Sequence, residues 1–306
     1  MTYPSAPDHS SRLSQVPSVA VGHYTHPQRP TGCTAIVFGR SCVASVHVGG
    51  GAPGTQETDL LRPGMLVGNV DAIMLSGGSA FGLDTAGGAR RYLAQRGRGF
   101  NAGGYAVPIV PAAVIFDLPS SGGEGMPGVE EGFLACQASE KQDPQEGAVG
   151  AGAGATVGKY LGRGQGAPGG LASRMITEAG VAIGALVVAN CYGSVWDPLT
   201  NAMAAGPRGD DGKPVDYLQT QSIQPVFGAT ALAVVATDAM LDQAQAQRVA
   251  MMAHDGWARC VRPSHTPYDG DVVFVVSTGE KKMELARLGA LAAWLVERTT
   301  LAAVQR

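Results

Sequence analysis

The chain has 306 residues, 45% of them hydrophobic and 15% charged, which is enough for a sizeable core in one large domain or two ordinary ones. Its formal net charge of -3 and the lack of any basic cluster exclude a nucleic-acid-binding surface. Glycine or polar residues interrupt every long apolar run well short of the roughly 18 positions that a membrane span needs, so no span is predicted.

The N-terminal segment and the cysteines bear on cellular location. Residues 1–22 have neither the basic start nor the apolar core of a secretory signal. The 5 cysteines are scattered without a C-x-x-C pair, and an odd number of them favours reduced thiols. These features predict a cytoplasmic protein.

Short, almost wholly apolar runs recur along the chain and predict strands covered on both faces. They span residues 34–38, 42–48, 72–75, 181–190, 231–238 and 271–278. Helical spacing of apolar residues predicts helices over 79–97, 242–261 and 281–306, the first with Ser79 as its N-cap. Strands interleaved with helices in this way predict a layered α/β or α+β fold.

Two stretches rich in glycine and proline lie at 145–170 and 204–228. The first is not a phosphate-binding loop, because Ala153 and Tyr160 stand where that motif needs a glycine and a serine or threonine. The second reads as an exposed loop that leads directly into Thr230. Nucleotide binding is therefore not predicted.

Neither a metal site nor a serine nucleophile elbow is indicated. His23 and His26 lack a carboxylate placed to complete an H-E-x-x-H site, and we predict both to be surface residues. Around Ser79, Phe81 takes the position that must be glycine in a G-x-S-x-G elbow. We predict no metal and no cofactor.

Thr230, Asp269 and Asp271 have ordinary structural explanations when each is taken alone. Threonine is β-branched and suits a strand, and Asp-Gly is a favoured hairpin turn. Composition and pattern by themselves do not mark these residues as catalytic.

A family resemblance gives them a different meaning. It rests on seven blocks that occur in order: "GGAPGTQETDLLRPG", "LSGGSAFGLDTAGG", "VPIVPAAVIFDL", "AGAGATVGK", "VVANCYG", "GATALAVVATD" and "HTPYDGDVVFVVSTG". With these blocks the chain resembles the P1 family of self-processing peptidases, which comprises the DmpA-type and β-peptidyl aminopeptidases and the nylon-oligomer endohydrolases. The resemblance implies an α+β fold of the N-terminal-nucleophile-hydrolase kind, a four-layer αββα sandwich. It also implies homo-oligomers of processed units.

By this resemblance, residues 1–306 form a single catalytic domain that cuts itself between Ala229 and Thr230. The products would be an α chain, 1–229, and a β chain, 230–306. A threonine hydroxyl is a weak nucleophile that needs a base. The new α-amine, with a reference pKa of about 7.7–8.0, would supply one on the same residue.

The resemblance also assigns partners to Thr230. Asn190 would donate its side-chain amide to the developing oxyanion. Lys159 would favour a neutral threonine amine and support anionic intermediates. Asp269 and Asp271, spaced i, i+2 at the start of a strand, would point to one face, orient the amine and relay protons.

Two residues depart from the family pattern. Ala229 stands before the cut where asparagine or glycine is common, which predicts slower or absent processing. Phe116, placed in the substrate pocket, replaces a tyrosine of the nylon-oligomer enzymes, although the Asp-Gly-Asp sequence at 269–271 resembles that branch. The missing hydroxyl argues against nylon-oligomer hydrolysis.

We therefore predict a self-processing amidohydrolase or aminopeptidase that cleaves small peptides or amino-acid amides through an acyl-enzyme on Thr230. Three alternatives stay open. They are a 6-aminohexanoate (nylon) oligomer hydrolase, an acyltransferase of the ornithine acetyltransferase type, and an unprocessed, non-catalytic homologue.

Overall fold

The computed structural model describes residues 10–141 and 144–305. Nine of its strands form one sheet. They are β1 (Val19–Thr25), β2 (Gly32–Val48), β3 (Thr55–Gln56), β4 (Asn69–Ser76), β5 (Ala112–Val114), β6 (Gly170–Glu178), β7 (Val181–Asn190), β8 (Thr230–Ala239) and β9 (Val272–Lys281). The order across the sheet is β6-β7-β8-β9-β2-β4-β5-β3, with β1 paired to β2. Strands β8 and β9 run parallel, whereas β7 is antiparallel to β8.

The helices and the remaining strands lie outside this sheet. The helices are α1 (Thr85–Ala94), α2 (Leu118–Ser121), α3 (Val129–Ala138), α4 (Gln243–Cys260) and α5 (Leu285–Val304). The short strands pair locally: Phe100–Ala102 with Tyr105–Val107, Thr156–Val157 with Ala167–Pro168, and Ser194–Asp197 with both Ala202–Ala205 and Val261–Arg262.

The nine-stranded sheet forms two layers, one containing β6–β9 and the other containing β1, β3, β4 and β5. Strand β2 joins the two layers. Its first half pairs with β1 and β4, and its second half pairs with β9, with a register shift against β4 between Val37 and Cys42. The prediction of two separate strands, 34–38 and 42–48, was therefore wrong. The exposed residues 39–41 interrupt the apolar pattern but do not end the strand.

Three hydrophobic clusters separate four layers. One lies between helices α4 and α5 and the outer face of β6–β9, and includes Trp257 and Val235. A second joins the inner faces of the two sheet layers, where Phe274 and Phe38 are buried. The third lies under α1 and α3 and includes Met74. The predicted αββα sandwich is confirmed, since each strand layer can bury both faces only in this arrangement.

Local capping explains where the long helices begin. Asp242 Oδ1 accepts a hydrogen bond from Gln245 N at 2.7 Å, and Gln245 Oε1 accepts one from Asp242 N at 3.0 Å. This reciprocal pair satisfies two amide groups at the start of α4. Glu284 caps α5 by accepting from the amides of Ala286 and Arg287.

The first helix departs from its prediction. Ser79 has φ +55° and begins a tight 3₁₀ turn over Ser79–Asp84, and α1 itself starts only at Thr85. A residue with φ in the left-handed region cannot serve as an extended N-cap. Sequence patterns also missed β1, β6 and α3.

Two further expectations can be compared with the fold. All 5 cysteines are buried and free. None of the helices within 10–141 and 144–305 is both long and apolar enough to cross a bilayer.

Helices α4 and α5 approach closely at Gly256, which yields a stability test. A Cβ at this position would lie 2.3 Å from the carbonyl oxygen of Ala293, a backbone atom of α5. We expect Gly256→Ala to lower the free energy of unfolding by about 1–3 kcal/mol, because the two helices must separate. Urea unfolding measures this in a Thr230→Ala background, which removes the hydroxyl group that is predicted to cut the chain.

Gly87→Ala in α1 is the matched control. Its Cβ would meet the end of the Val129 side chain, at 3.3 Å, rather than a backbone atom. Because alanine favours a helix over glycine by about 1 kcal/mol, we expect this variant to be as stable as its parent or slightly more so. Equal stability of the two variants would contradict a close backbone contact between α4 and α5.

Candidate active site

Thr230 is the first residue of β8 and lies directly opposite Asn190, the last residue of β7. Both side chains are buried. The chain runs uncut through Ala229 into Thr230, and the Thr230 hydroxyl donates a hydrogen bond to the Ala229 carbonyl oxygen at 2.5 Å. The hydroxyl therefore lies against the carbonyl group immediately upstream of it.

The loop before β9 holds that same carbonyl from another side. Gly270 N donates to Ala229 O at 2.8 Å, and Ala229 N donates to Tyr268 O at 3.2 Å. A Cβ on Gly270 would lie 2.8 Å from Thr230 Oγ1 and 2.6 Å from Ala52 O, so only glycine fits here. From the sequence, Gly270 was interpreted only as a turn residue. Its location between Asp269 and Asp271 was the signal that could have indicated a role in the site.

The Asn190 side chain has one satisfied end and one free end. Its Oδ1 accepts hydrogen bonds from Lys159 Nζ at 2.7 Å and from Thr156 N at 3.0 Å. Its Nδ2 is buried and has no hydrogen-bond partner among the described residues. A buried donor left unpaired costs about 1–3 kcal/mol. Such a donor can form a new hydrogen bond to an oxyanion without first breaking another.

Lys159 is fully buried behind Asn190. Its Nζ donates to Asn190 Oδ1 and, at 2.9 Å, to Asn190 O. Burial lowers the pKa of Lys159 to about 7, and the nearby charge of Arg163 acts in the same direction, whereas Asp269 raises it. The backbone turns sharply at Gly158, whose φ is +69°, to bring this ammonium group inside.

Asp269 precedes β9, and its backbone pairs with Ala229, the residue before Thr230. Its Oδ1 accepts from Tyr192 N at 3.0 Å, and its Oδ2 accepts from Thr266 N at 3.0 Å and Thr266 Oγ1 at 2.5 Å. Burial, followed by the charge of Asp271, raises the pKa of Asp269 to about 6. An acid with this pKa can exchange a proton near neutral pH.

Asp271 is held by a different set of groups. Its Oδ1 accepts from Ala231 N at 2.7 Å, and its Oδ2 accepts from His265 N at 3.2 Å. The two aspartates lead into a strand as predicted, although β9 begins at Val272, one residue later than the predicted start at 271. Their bonds to Tyr192 and Ala231, residues distant in sequence, fix their positions.

Phe116 lies on the upstream side of the Ala229–Thr230 bond. Its ring packs against Gly228, where a Cβ would lie 2.4 Å from Phe116 Cγ. The Arg163 guanidinium stacks 4.8 Å from the ring centroid and also donates to Phe227 O. The structure thus brings Phe116 to the segment that precedes Thr230.

Several tyrosines that sequence reasoning missed surround this upstream segment. Tyr192 Oη donates to Gln224 O at 2.8 Å, and Gln224 N donates to Tyr160 O at 2.8 Å. Ala229 is completely buried in the same cluster, with Tyr268 packed against it. Tyr160 directly follows Lys159, Tyr192 follows Asn190 by two residues and Tyr268 precedes Asp269, which was the available signal.

The upstream segment fills the space beside Thr230. A cavity of about 470 Å³ opens nearby, lined by Tyr217, Arg262 and Pro263 among others, but Thr230 does not line it. Within the described ranges, no cluster of three or more histidine, cysteine, aspartate or glutamate side chains could hold a metal ion. His23, predicted to be on the surface, is instead half-buried against Thr34.

Comparison with known proteins identifies the family of this chain. The model of peptidase family S58 matches residues 11–306. The chain belongs to peptidase family S58. It is therefore a hydrolase that acts on peptide or amide bonds.

Relatives that are similar in sequence to this chain are named as aminopeptidases or as oligomer endohydrolases. It is 39% identical over 287 residues to an uncharacterized aminopeptidase of Mycobacterium tuberculosis (strain ATCC 25618 / H37Rv), a match that covers 87% of this chain and 81% of the relative. It is 29% identical over 280 residues to a 6-aminohexanoate-oligomer endohydrolase of Kocuria sp. (strain KY2), covering 86% and 74%.

A solved structure supports the fold. The L-aminopeptidase D-Ala-esterase/amidase of Ochrobactrum anthropi, described as a variant of the Ntn hydrolase fold, superposes with a TM-score of 0.73. The match covers 100% of this chain and 89% of that one at 19% identity. The chain therefore has this fold.

The buried Lys159 predicts a pH dependence of stability. Its pKa of about 7 in the folded chain lies below its ordinary value of 10.5. Between these values the unfolded chain binds more protons, so the free energy of unfolding should rise with pH from about 7 to 10. We expect Lys159→Met to reduce this rise.

Urea unfolding at pH 7, 8, 9 and 10 tests the prediction, with the parent and the variant both in a Thr230→Ala background. Lys213→Met is the control, because Lys213 is exposed and pairs with the neighbouring Asp211. Identical slopes in the Lys159 variant and its parent would contradict a depressed lysine pKa.

Proposed function

We propose that the chain cleaves its own Ala229–Thr230 bond and then hydrolyses small peptides or amino-acid amides through an acyl-enzyme on Thr230. One observation carries the proposal: the Thr230 hydroxyl lies 2.5 Å from the carbonyl oxygen of Ala229. The nucleophile and the group that it would attack are thus already in contact, as proximity catalysis requires.

In self-cleavage, Thr230 Oγ1 bonds to the Ala229 carbonyl carbon and the bond from that carbon to Thr230 N breaks. The hydroxyl proton passes to Asp269, whose pKa near 6 suits this transfer, and then to the departing nitrogen. Gly270 N–H, already bonded to Ala229 O, stabilises the negative oxygen, and Asn190 Nδ2 is free to join it. Water then hydrolyses the ester.

After the cut, the same groups act on substrate. The Thr230 α-amine takes the proton from its own hydroxyl, because its pKa lies near neutrality. Lys159 acts through Asn190, because its Nζ donates one hydrogen bond to the side-chain Oδ1 and another to the backbone carbonyl oxygen of that residue. Asp271 holds the amide of Ala231 and so positions the start of β8.

The buried surroundings of Ala229 support a preference for small acyl groups. Its methyl group is completely enclosed in the cluster of Tyr160, Tyr192 and Val226. A larger residue would need these rings to move, at a cost typical of overpacked cores. We therefore propose alanine amides and short alanyl peptides as substrates.

A second candidate is hydrolysis of 6-aminohexanoate oligomers, since relatives carry that name. The aspartate pair, Asp269 and Asp271, resembles that of the nylon-oligomer enzymes. Phe116, however, lacks the hydroxyl group of the tyrosine that those enzymes have at this position. Acyl transfer to an amine and an uncut, non-catalytic state stay open as well, because the same fold is compatible with both. Cytoplasmic location and homo-oligomeric assembly stay predictions.

Intact-mass measurement tests self-cleavage. We expect the purified parent to give two chains, 1–229 and 230–306, and Thr230→Ala to give one chain of 31.2 kDa. Thr230→Ser should still cut because it keeps the hydroxyl group. Thr220→Ala, in the upstream loop, is the control and should cut like the parent.

Cleaved protein should release aniline from alanine anilide, and the acyl-enzyme should appear as added mass on the 230–306 chain. A parent that stays at full length after long incubation, with no aniline release, would refute the proposal. Faster product formation with an added amine acceptor would point to acyl transfer instead.

Gly270→Ala tests the contact at the scissile carbonyl. A Cβ 2.8 Å from Thr230 Oγ1 must displace the hydroxyl or the loop. Since a shift near 1 Å can cost about 10²-fold in rate, we expect self-cleavage to slow by about that factor. Electrophoresis of newly synthesised protein over time measures the rate.

Gly164→Ala is the matched control, because no described atom lies within 4 Å of its Cβ position. It should cut at the parental rate. If Gly270→Ala cut equally fast, the geometry around Ala229 O would not be the reactive one.

A further inference from the structure

Three histidines form a cluster beside Asp271, in which His254 is buried and His47 and His265 are half-buried. The ring centroids of His47 (β2) and His254 (α4) are 4.9 Å apart, and those of His254 and His265 are 4.8 Å apart. Trp257 packs against both His254 and His265. None of these residues has a part in the self-cleavage and hydrolysis proposed above.

One hydrogen bond of this cluster has a known acceptor, the backbone carbonyl oxygen of His47. His254 Nε2 lies 3.1 Å from His47 O, and a carbonyl oxygen can only accept, so Nε2 carries the proton. Burial lowers the pKa of His254 to about 4, with the charge of His265 acting in the same direction. His254 is therefore neutral at pH 7, and its Nδ1 is an acceptor.

His265 must then donate from both ring nitrogens. Its Nε2 lies 3.4 Å from the accepting His254 Nδ1, and its Nδ1 lies 2.7 Å from the carboxylate oxygen Oδ2 of Asp271. A histidine that donates at both positions is an imidazolium cation. With His254 neutral, the pattern of donors and acceptors assigns this charge.

The charged groups that face His265 agree with the assignment. Asp271 and Asp269 lie on its own loop, while His254 on α4 and His47 on β2 are its other titratable neighbours. Burial lowers the pKa of His265, but its hydrogen bond to Asp271 and the charges of both aspartates outweigh this, so its pKa is raised.

We propose that His265 is a positioning residue for the aspartate pair: its positive charge holds the Asp271 carboxyl group in place and adds a cation beside Asp269. Asp271 in turn binds the amide of Ala231, the residue after the nucleophile. The effect on the reaction rests on the function proposed above, whereas the charge of His265 does not.

Nuclear magnetic resonance of ring-¹⁵N-labelled histidines in uncut Thr230→Ala protein tests the charge. At pH 7 we expect both nitrogens of His265 to be protonated and His254 to be neutral with its proton on Nε2. A His265→Asn spectrum assigns the signal. A neutral His265 at pH 7 would overturn the proposal whatever the activity of the enzyme.

The pH dependence of the rate tests the positioning role in His265→Asn. Asparagine suits this position, where φ is +54°, but carries no charge. Loss of the cation should raise the pKa of Asp269, the proton acceptor proposed for self-cleavage, so the acidic limb of the self-cleavage rate against pH should move to higher pH by about 1 unit. A structural role alone would lower the rate without moving the limb.

His23→Asn is the matched control, because His23 bonds Thr34 in another part of the fold, and its limb should match the parent. An active parent with an unmoved limb in His265→Asn would overturn the positioning role. An inactive parent would refute the proposed function instead, and if His265→Asn did not fold, the resonance measurement on the parent chain would still decide the charge.

Discussion

The carbonyl oxygen of Ala229 accepts hydrogen bonds from Gly270 N and from Thr230 Oγ1, and the site depends on this double contact. It requires three chain segments to meet at one point: the start of β8, the end of β7 and the loop that enters β9. Because β8 and β9 run parallel and β7 runs antiparallel to them, the starts of β8 and β9 and the end of β7 lie at the same end of these three neighbouring strands. The sandwich fold thus holds the Ala229–Thr230 bond in place.

Burial of polar groups gives this site its chemical character. Lys159, Asn190, Asp269 and Asp271 are all almost completely enclosed. Desolvation of charged groups is unfavourable, and here it shifts the pKa values of Lys159 and Asp269 toward neutrality from opposite sides. Hydrogen bonds to backbone amides and to one another offset part of that cost. The surrounding apolar layers, with large rings such as that of Trp257, must supply the stability that such a site removes.

The segment before Thr230 runs between aromatic rings and a cation. Residues 224–229 lie against Tyr160, Tyr192 and Tyr268, and the Phe116 ring contacts Gly228. Under the proposed function, an acyl group that followed this path would meet the tyrosine rings on one side and the Arg163 cation on the other.

The sequence by itself determined the parts of the molecule whose signals are local. Continuous apolar runs predicted β7, β8 and β9 because these strands are covered on both faces, and helical spacing predicted α4 and α5. The family blocks named Thr230, Asn190, Lys159 and the two aspartates, and the structure brings these residues together. Tertiary structure alone decided the single course of β2, the left-handed turn at Ser79, the contact of Gly270 with the Ala229 carbonyl group and the contact of His265 with Asp271. Each of these depends on atoms distant in sequence, and no local pattern records which groups a fold will bring within hydrogen-bonding distance.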